Sequence, residues 1–63
     1  MKKNEIYEVI AQSLTIQGYV LEQGEQFQVI RKNFGNVVVK RLKNNMNLEM
    51  SEMALLIVSE KIN

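Results

Sequence analysis

Neither cysteine nor histidine occurs in this 63-residue chain, and all seven of its acidic residues are glutamate. These absences limit what can hold the chain together. A domain this short buries only about 60% of the surface its unfolded form exposes, so its core is thin. Small domains usually add disulfides, a structural metal or an oligomeric interface. Disulfides are excluded here, and so is a zinc site of the usual kind. Oligomerisation is left, and a homodimer is the expected state.

The same absences limit the chemistry. Histidine acid–base catalysis and Ser-His-Asp triads are excluded. Ser13, Thr15, Ser51 and Ser59 have no imidazole to activate them. A lysine base needs a desolvated pocket, which a chain of this size hardly builds. Gly18, Gly24 and Gly35 lie too far apart to form a phosphate cradle. The pairs Glu5/Glu8 and Glu49/Glu52 fall at expected helix starts, where the helix dipole accounts for them. Glu22/Glu25 flank an expected turn. No catalytic residue, metal ligand or cofactor is therefore expected, and the chain reads as a non-enzyme.

Eight basic residues against seven acidic ones give a formal charge of +1, which calls for no polyanionic partner by itself. The apolar fraction of 46% is that of an ordinary globular protein, read here as one domain over 1–63. The longest apolar run, Met53 to Val58, is too short to span a bilayer. Met1-Lys2-Lys3-Asn4-Glu5 is basic but no apolar segment follows, so no signal peptide is read and a cytoplasmic location is expected.

Periodicity predicts a helix over Asn4–Gln17, with Ile6, Ile10 and Leu14 at i, i+4, i+8 and Gly18 as its left-handed terminator. A competing reading ends that helix near Ser13 and starts a strand at Thr15-Ile16. Tyr19–Gln23 and Gln26–Lys32 read as strands joined at Gly24-Glu25. That hairpin would set Glu22 opposite Phe27, Val20 opposite Val29 and Tyr19 opposite Ile30. Asn33-Phe34-Gly35-Asn36 reads as a turn and Val37–Lys43 as a third strand, favoured by three consecutive valines. A last helix is predicted over Leu48–Ile62, capped by Asn47 or Ser51, with Met50, Met53, Ala54, Ile57 and Val58 on one face. The expected fold is α+β in the order α-β-β-β-α: an antiparallel three-stranded sheet with two helices on one face. This order is similar to the double-stranded-RNA-binding fold and to small toxin domains of the HicA type. The start of the last helix, Asn47-Leu48-Glu49-Met50-Ser51-Glu52, is acidic where the RNA-binding fold is Lys-rich. The toxins' histidine has no counterpart, so the resemblance implies topology alone.

Two features exceed what such a fold needs. Leu55 and Leu56 fall off the main helical face, and Tyr19, Leu21 and Ile30 line a second apolar sheet face. These five residues are the expected partner or dimer surface. Arg31, Lys32, Lys40, Arg41 and Lys43 form an acid-free basic hairpin with Phe34 at its tip, which could contact phosphates and stack a base. Lysine on an edge strand also blocks aggregation, which explains the same charges structurally. The sequence thus reads as a small non-catalytic interaction protein, a regulator or inhibitor of the kind phages and mobile elements encode. It would bind a protein partner or itself. The alternative is a nucleic-acid-binding module using the 31–43 hairpin.

Overall fold

A computed structural model describes all of residues 1–63. It is mostly strand: β1 (Ile6–Val9), β2 (Leu14–Ile16), β3 (Tyr19–Leu21), β4 (Gln26–Asn33), β5 (Asn36–Arg41), β6 (Asn47–Ser51), then α1 (Glu52–Val58) and β7 (Ser59–Lys61). The α-β-β-β-α order is therefore wrong, and the topological likeness to the RNA-binding and toxin folds goes with it.

The first helix fails because the apolar residues that matter alternate. Tyr7 and Val9 are buried, whereas Ile10 is 47% exposed. Burial at i, i+2 is the strand period, and the β-branched residues of this segment suit it. The competing strand start near Thr15-Ile16 comes closer, since β2 pairs antiparallel with β3 from Leu14↔Leu21 to Ile16↔Tyr19. Gly18 is left-handed as expected, but as half of a two-residue turn: Gln17 has φ +51 and Gly18 φ +87. Positive φ at both central residues is the type I′ turn, one of the two whose twist suits a hairpin of this length.

Both edges of β4 are taken by β1 and β5, so β3 pairs with β2 alone and the expected register between β3 and β4 is absent. Gly24 (φ +86) lets the chain turn instead, with Glu25 N–H donating to the Glu22 carbonyl at 3.0 Å. Gly24 N–H donates to the Val9 carbonyl and Val9 N–H to the Glu25 carbonyl, each at 2.8 Å, so the turn docks on β1. β4 then runs antiparallel to both β1 and β5. A register shift between Val29 and Arg31 bends it. The turn at Asn33–Asn36 and the valine strand after it form where the sequence places them.

The last helix also shrinks. Leu48 and Met50 are buried while Asn47 and Glu49 are exposed, so this stretch is strand β6 on β5. Ser51 caps a helix of only seven residues, its Oγ accepting from Ala54 N–H. β7 follows and pairs with β1.

The main sheet has the order β6-β5-β4-β1-β7. Its two edge strands are consecutive in the chain, and α1 joins them across the open side. One apolar cluster fills the interior, with Phe27, Leu21, Met50, Leu55 and Val29 among its members. No helix is long and apolar enough to cross a membrane.

Candidate interaction surface

Two hairpin tips and the amino terminus converge where β6 becomes α1. Ser51 N–H donates to Gln17 Oε1 at 2.8 Å, which ties down the β2–β3 tip. Glu52 N–H donates to the Gly35 carbonyl at 3.1 Å, which ties down the β4–β5 tip. The Glu52 carboxylate accepts from the Met1 ammonium at 2.8 Å and pairs with Lys32 Nζ at 3.2 Å. The bond from the ammonium, reinforced by Lys32, holds the Glu52 pKa below its ordinary value despite partial desolvation.

From this junction α1 presents an apolar outer face. Met53, Leu56 and Ile57 are 73%, 47% and 74% exposed, whereas Leu55 is 0% exposed. The spacing i, i+3, i+4 puts the three on one side of the helix. Phe34, which precedes the Gly35 bonded to Glu52, is 99% exposed. Its φ is +58, a region aromatic residues rarely occupy.

The five residues expected to form a partner surface therefore separate. Leu56 is on the surface. Leu55 and Leu21 are core residues at 0% and 1% exposure, and Tyr19 and Ile30 are partly buried. The second apolar sheet face does not exist, because β3 and β4 belong to different sheets and the main sheet wraps one interior. Met53 and Ile57, expected to pack inward, point out. Taking Ser51 rather than Asn47 as the cap would have shown this, since it leaves Met50 outside the helix and removes the residue that set the expected inward face.

The basic hairpin is largely neutralised. Arg41 Nε and Nη2 grip the Glu25 carboxylate, and Nη2 also donates to the Val20 carbonyl at 2.8 Å. Burial pushes the Glu25 carboxyl up, but the bonds from Arg41 and Glu22 N–H, with the charges of Arg41 and Lys43, hold it below its ordinary value. Lys43 pairs with Glu22 and Lys32 with Glu52. Arg31 and Lys40 have no carboxylate partner. Arg31 shares a sheet row with Val38 and Glu49, so even there the charge is mixed. Arg41 is thus a clamp: it fastens the β2–β3 hairpin to the main sheet from the end opposite Gln17.

The protein has no cavity, and no three His, Cys, Asp or Glu side chains converge on a point that could hold a metal. Every buried side-chain nitrogen and oxygen has a hydrogen-bond partner. No protein-family model, curated protein or solved structure matches the chain.

Proposed function

We propose that this chain is a small non-catalytic interaction module that binds a protein through the outer face of α1 and acts as a regulator or inhibitor. One observation carries the reading. All of α1 after Glu52 is apolar, yet only Leu55 is buried, and Met53, Leu56 and Ile57 stand in water. Scattered exposed apolar residues are ordinary, but three on one side of one short helix form a patch. Helix faces of this kind are read by grooves that take i, i+3, i+4 anchors. The nucleic-acid alternative is weaker, because three of the five hairpin cations are already bound to Glu22, Glu25 and Glu52.

The test is affinity capture with Ile57→Glu and Lys40→Gln beside the wild type. A defined protein should be captured by wild type and Lys40→Gln and lost with Ile57→Glu, while circular dichroism stays unchanged. Sedimentation of the purified chain shows whether that protein is a second copy. Capture indifferent to Ile57→Glu, or abolished by nuclease, would overturn the proposal.

A further inference from the structure

We infer that the free edge of β6 is a self-association surface, on which β6 of a second copy of this chain pairs antiparallel about a two-fold axis at Leu48. This surface is distinct from the outer face of α1, and the two stand or fall separately.

The backbone sets the direction of the edge. β6 ends the main sheet and pairs with β5 alone. Bonds at both ends of that pairing fix which residues face β5. Arg41 N–H donates to the Met46 carbonyl at 2.8 Å, and Glu52 N–H to the Gly35 carbonyl at 3.1 Å. Antiparallel bonding alternates along a strand, so Leu48 and Met50 turn their N–H and C=O groups to β5. Asn47, Glu49 and Ser51 turn theirs outward. Gln17 Oε1 meets the outward N–H of Ser51 at 2.8 Å. Asn47 and Glu49 are exposed, and no group of the protein meets their N–H. Two successive donors and their carbonyls are thus left for an added strand.

The opposite edge offers less. Bonds from Ile62 N–H to the Ile6 carbonyl and from Ile10 N–H to the Val58 carbonyl, both at 2.9 Å, turn only Ser59 and Lys61 of β7 outward. A lysine on a strand so short guards against added strands.

Register follows by elimination. Setting Asn47 opposite itself brings Glu49 to Asn45 of the second copy. Asn45 has φ +60 and gives its N–H to the Arg41 carbonyl, so the chain there has already turned away. Setting Glu49 opposite itself apposes like charges and asks for the Ser51 N–H, which Gln17 holds. Setting Asn47 opposite Glu49 of the second copy completes both open pairs, with four backbone bonds across the axis.

Charge fits that register. Lys40 lies opposite Asn47, so the row continues Lys40, Asn47, then Glu49 of the second copy. Lys40 has no carboxylate partner within its own chain. The Asn33 and Asn36 amides both donate to Glu49 Oε2, at 3.0 and 3.1 Å, and Oε1 has no partner in the chain. Two strand spacings are about 10 Å, which a lysine and a glutamate span between them. The Asn47 amide, directly opposite, reaches the same carboxylate. Two-fold symmetry forms the row twice.

The experiment is sedimentation of the full chain beside hydrogen exchange over the same concentrations. The mean mass should rise from one chain to two between about 10 µM and 1 mM. The Asn47 and Glu49 amides should gain protection over that range, because each acquires an acceptor only in the pair. Asn47→Glu sets two glutamates against each other twice and should raise the dissociation constant about tenfold. Within its own chain the new carboxylate faces Lys40, so circular dichroism should be unchanged. Mixing Asn47→Glu with Glu49→Lys should restore the pair, since each row then lacks a like-charge contact across the axis. A monomer at 1 mM overturns the inference. So does a dimer in which the Asn47 and Glu49 amides stay unprotected, or a mixture no tighter than Asn47→Glu alone. A dimer that Ile57→Glu abolishes and Asn47→Glu spares overturns it too, and leaves protein binding by α1 intact.

Discussion

The β2–β3 and β4–β5 hairpins end in the same way on paper and differently in space. Each has a two-residue turn of the form X-Gly, and each puts a non-glycine residue at positive φ: Gln17 at +51 and Phe34 at +58. That conformation costs an L-residue roughly 1–2 kcal/mol. At Gln17 the cost is offset, because its side-chain oxygen accepts from Ser51 N–H on the edge strand β6. At Phe34 no side-chain contact offsets it. That tip is held by its neighbours instead: the Gly35 carbonyl accepts from Glu52 N–H, and the Asn33 and Asn36 amides donate to Glu49. Strain is thus explained by the fold at one tip and not at the other, and the unexplained one carries the most exposed large apolar side chain in the molecule.

The largest effect should come from the residue both tips depend on. Leu55 is the only buried side chain of α1, and α1 begins at the two bonds that hold the tips. Leu55→Ala should cost about 2–5 kcal/mol through lost burial and a residual cavity. A chain of this length rarely has more than about 5 kcal/mol of stability, so loss of the cooperative melting transition is expected. A variant that melted like the wild type would show that α1 is not what anchors the tips.

The next effect should fall on the β2–β3 side alone. Arg41→Ala leaves Glu25 buried without its cation and frees the Val20 carbonyl, at a cost of about 3 kcal/mol. The same pair predicts a pH dependence. Glu25 titrates below its ordinary value of 4.5 when folded. Its contribution is therefore fully present above 4.5 and is lost as pH falls through the lower folded value. Glu5 and Glu52 are shifted the same way. The melting temperature should be level from neutrality to about pH 5 and fall below it, less steeply in Glu25→Gln. Equal acid slopes in Glu25→Gln and wild type would remove the clamp from the account.

How legible this was in the sequence depends on whether local pattern or distant pairing chose the structure. The turn at Asn33–Asn36 and the strand after it were legible, since a turn cluster followed by three valines leaves little choice. The two ends of the chain were not. Ile6, Ile10 and Leu14 satisfy a helical period while Tyr7 and Val9 satisfy a strand period, and only the presence of β4 and β7 on either side of β1 decides between them. Leu48 and Met50 pose the same ambiguity, resolved by β5. The surface inherited these errors. Leu56 lies on the surface and Phe34 at a hairpin tip, but Leu55 exchanged places with Met53 and Ile57, because Met50, which set the inward face of the expected helix, belongs to strand β6.

Gln17→Ala should show a moderate loss. It keeps a non-glycine at positive φ and removes the acceptor for Ser51 N–H, so about 1 kcal/mol of destabilisation is expected. Hydrogen exchange at the Ser51 amide should accelerate in this variant more than at the Glu52 amide, which is bonded to the other tip. Equal acceleration at both would mean that the tips open as one unit and that the contrast between them is not local.

The smallest effect should have the opposite sign. Phe34→Gly substitutes the one residue for which positive φ carries no steric penalty, and the turn position is open, so nothing clashes. The ring it removes is 99% exposed and contributes no burial. Against the relieved strain stands the greater backbone freedom of glycine in the unfolded chain, roughly 0.5–1 kcal/mol. The balance leaves a net gain of about 0.5–1 kcal/mol, or about 4 °C in a domain of this size. Denaturant melts should register it as a higher midpoint at unchanged slope, the signature of altered stability without altered compactness. The matching change at the other tip, Gln17→Gly, relieves the same strain but forfeits the Ser51 bond, so it should gain nothing. If instead Phe34→Gly destabilised the protein, the ring would be contributing to the fold after all, and the two tips would be alike.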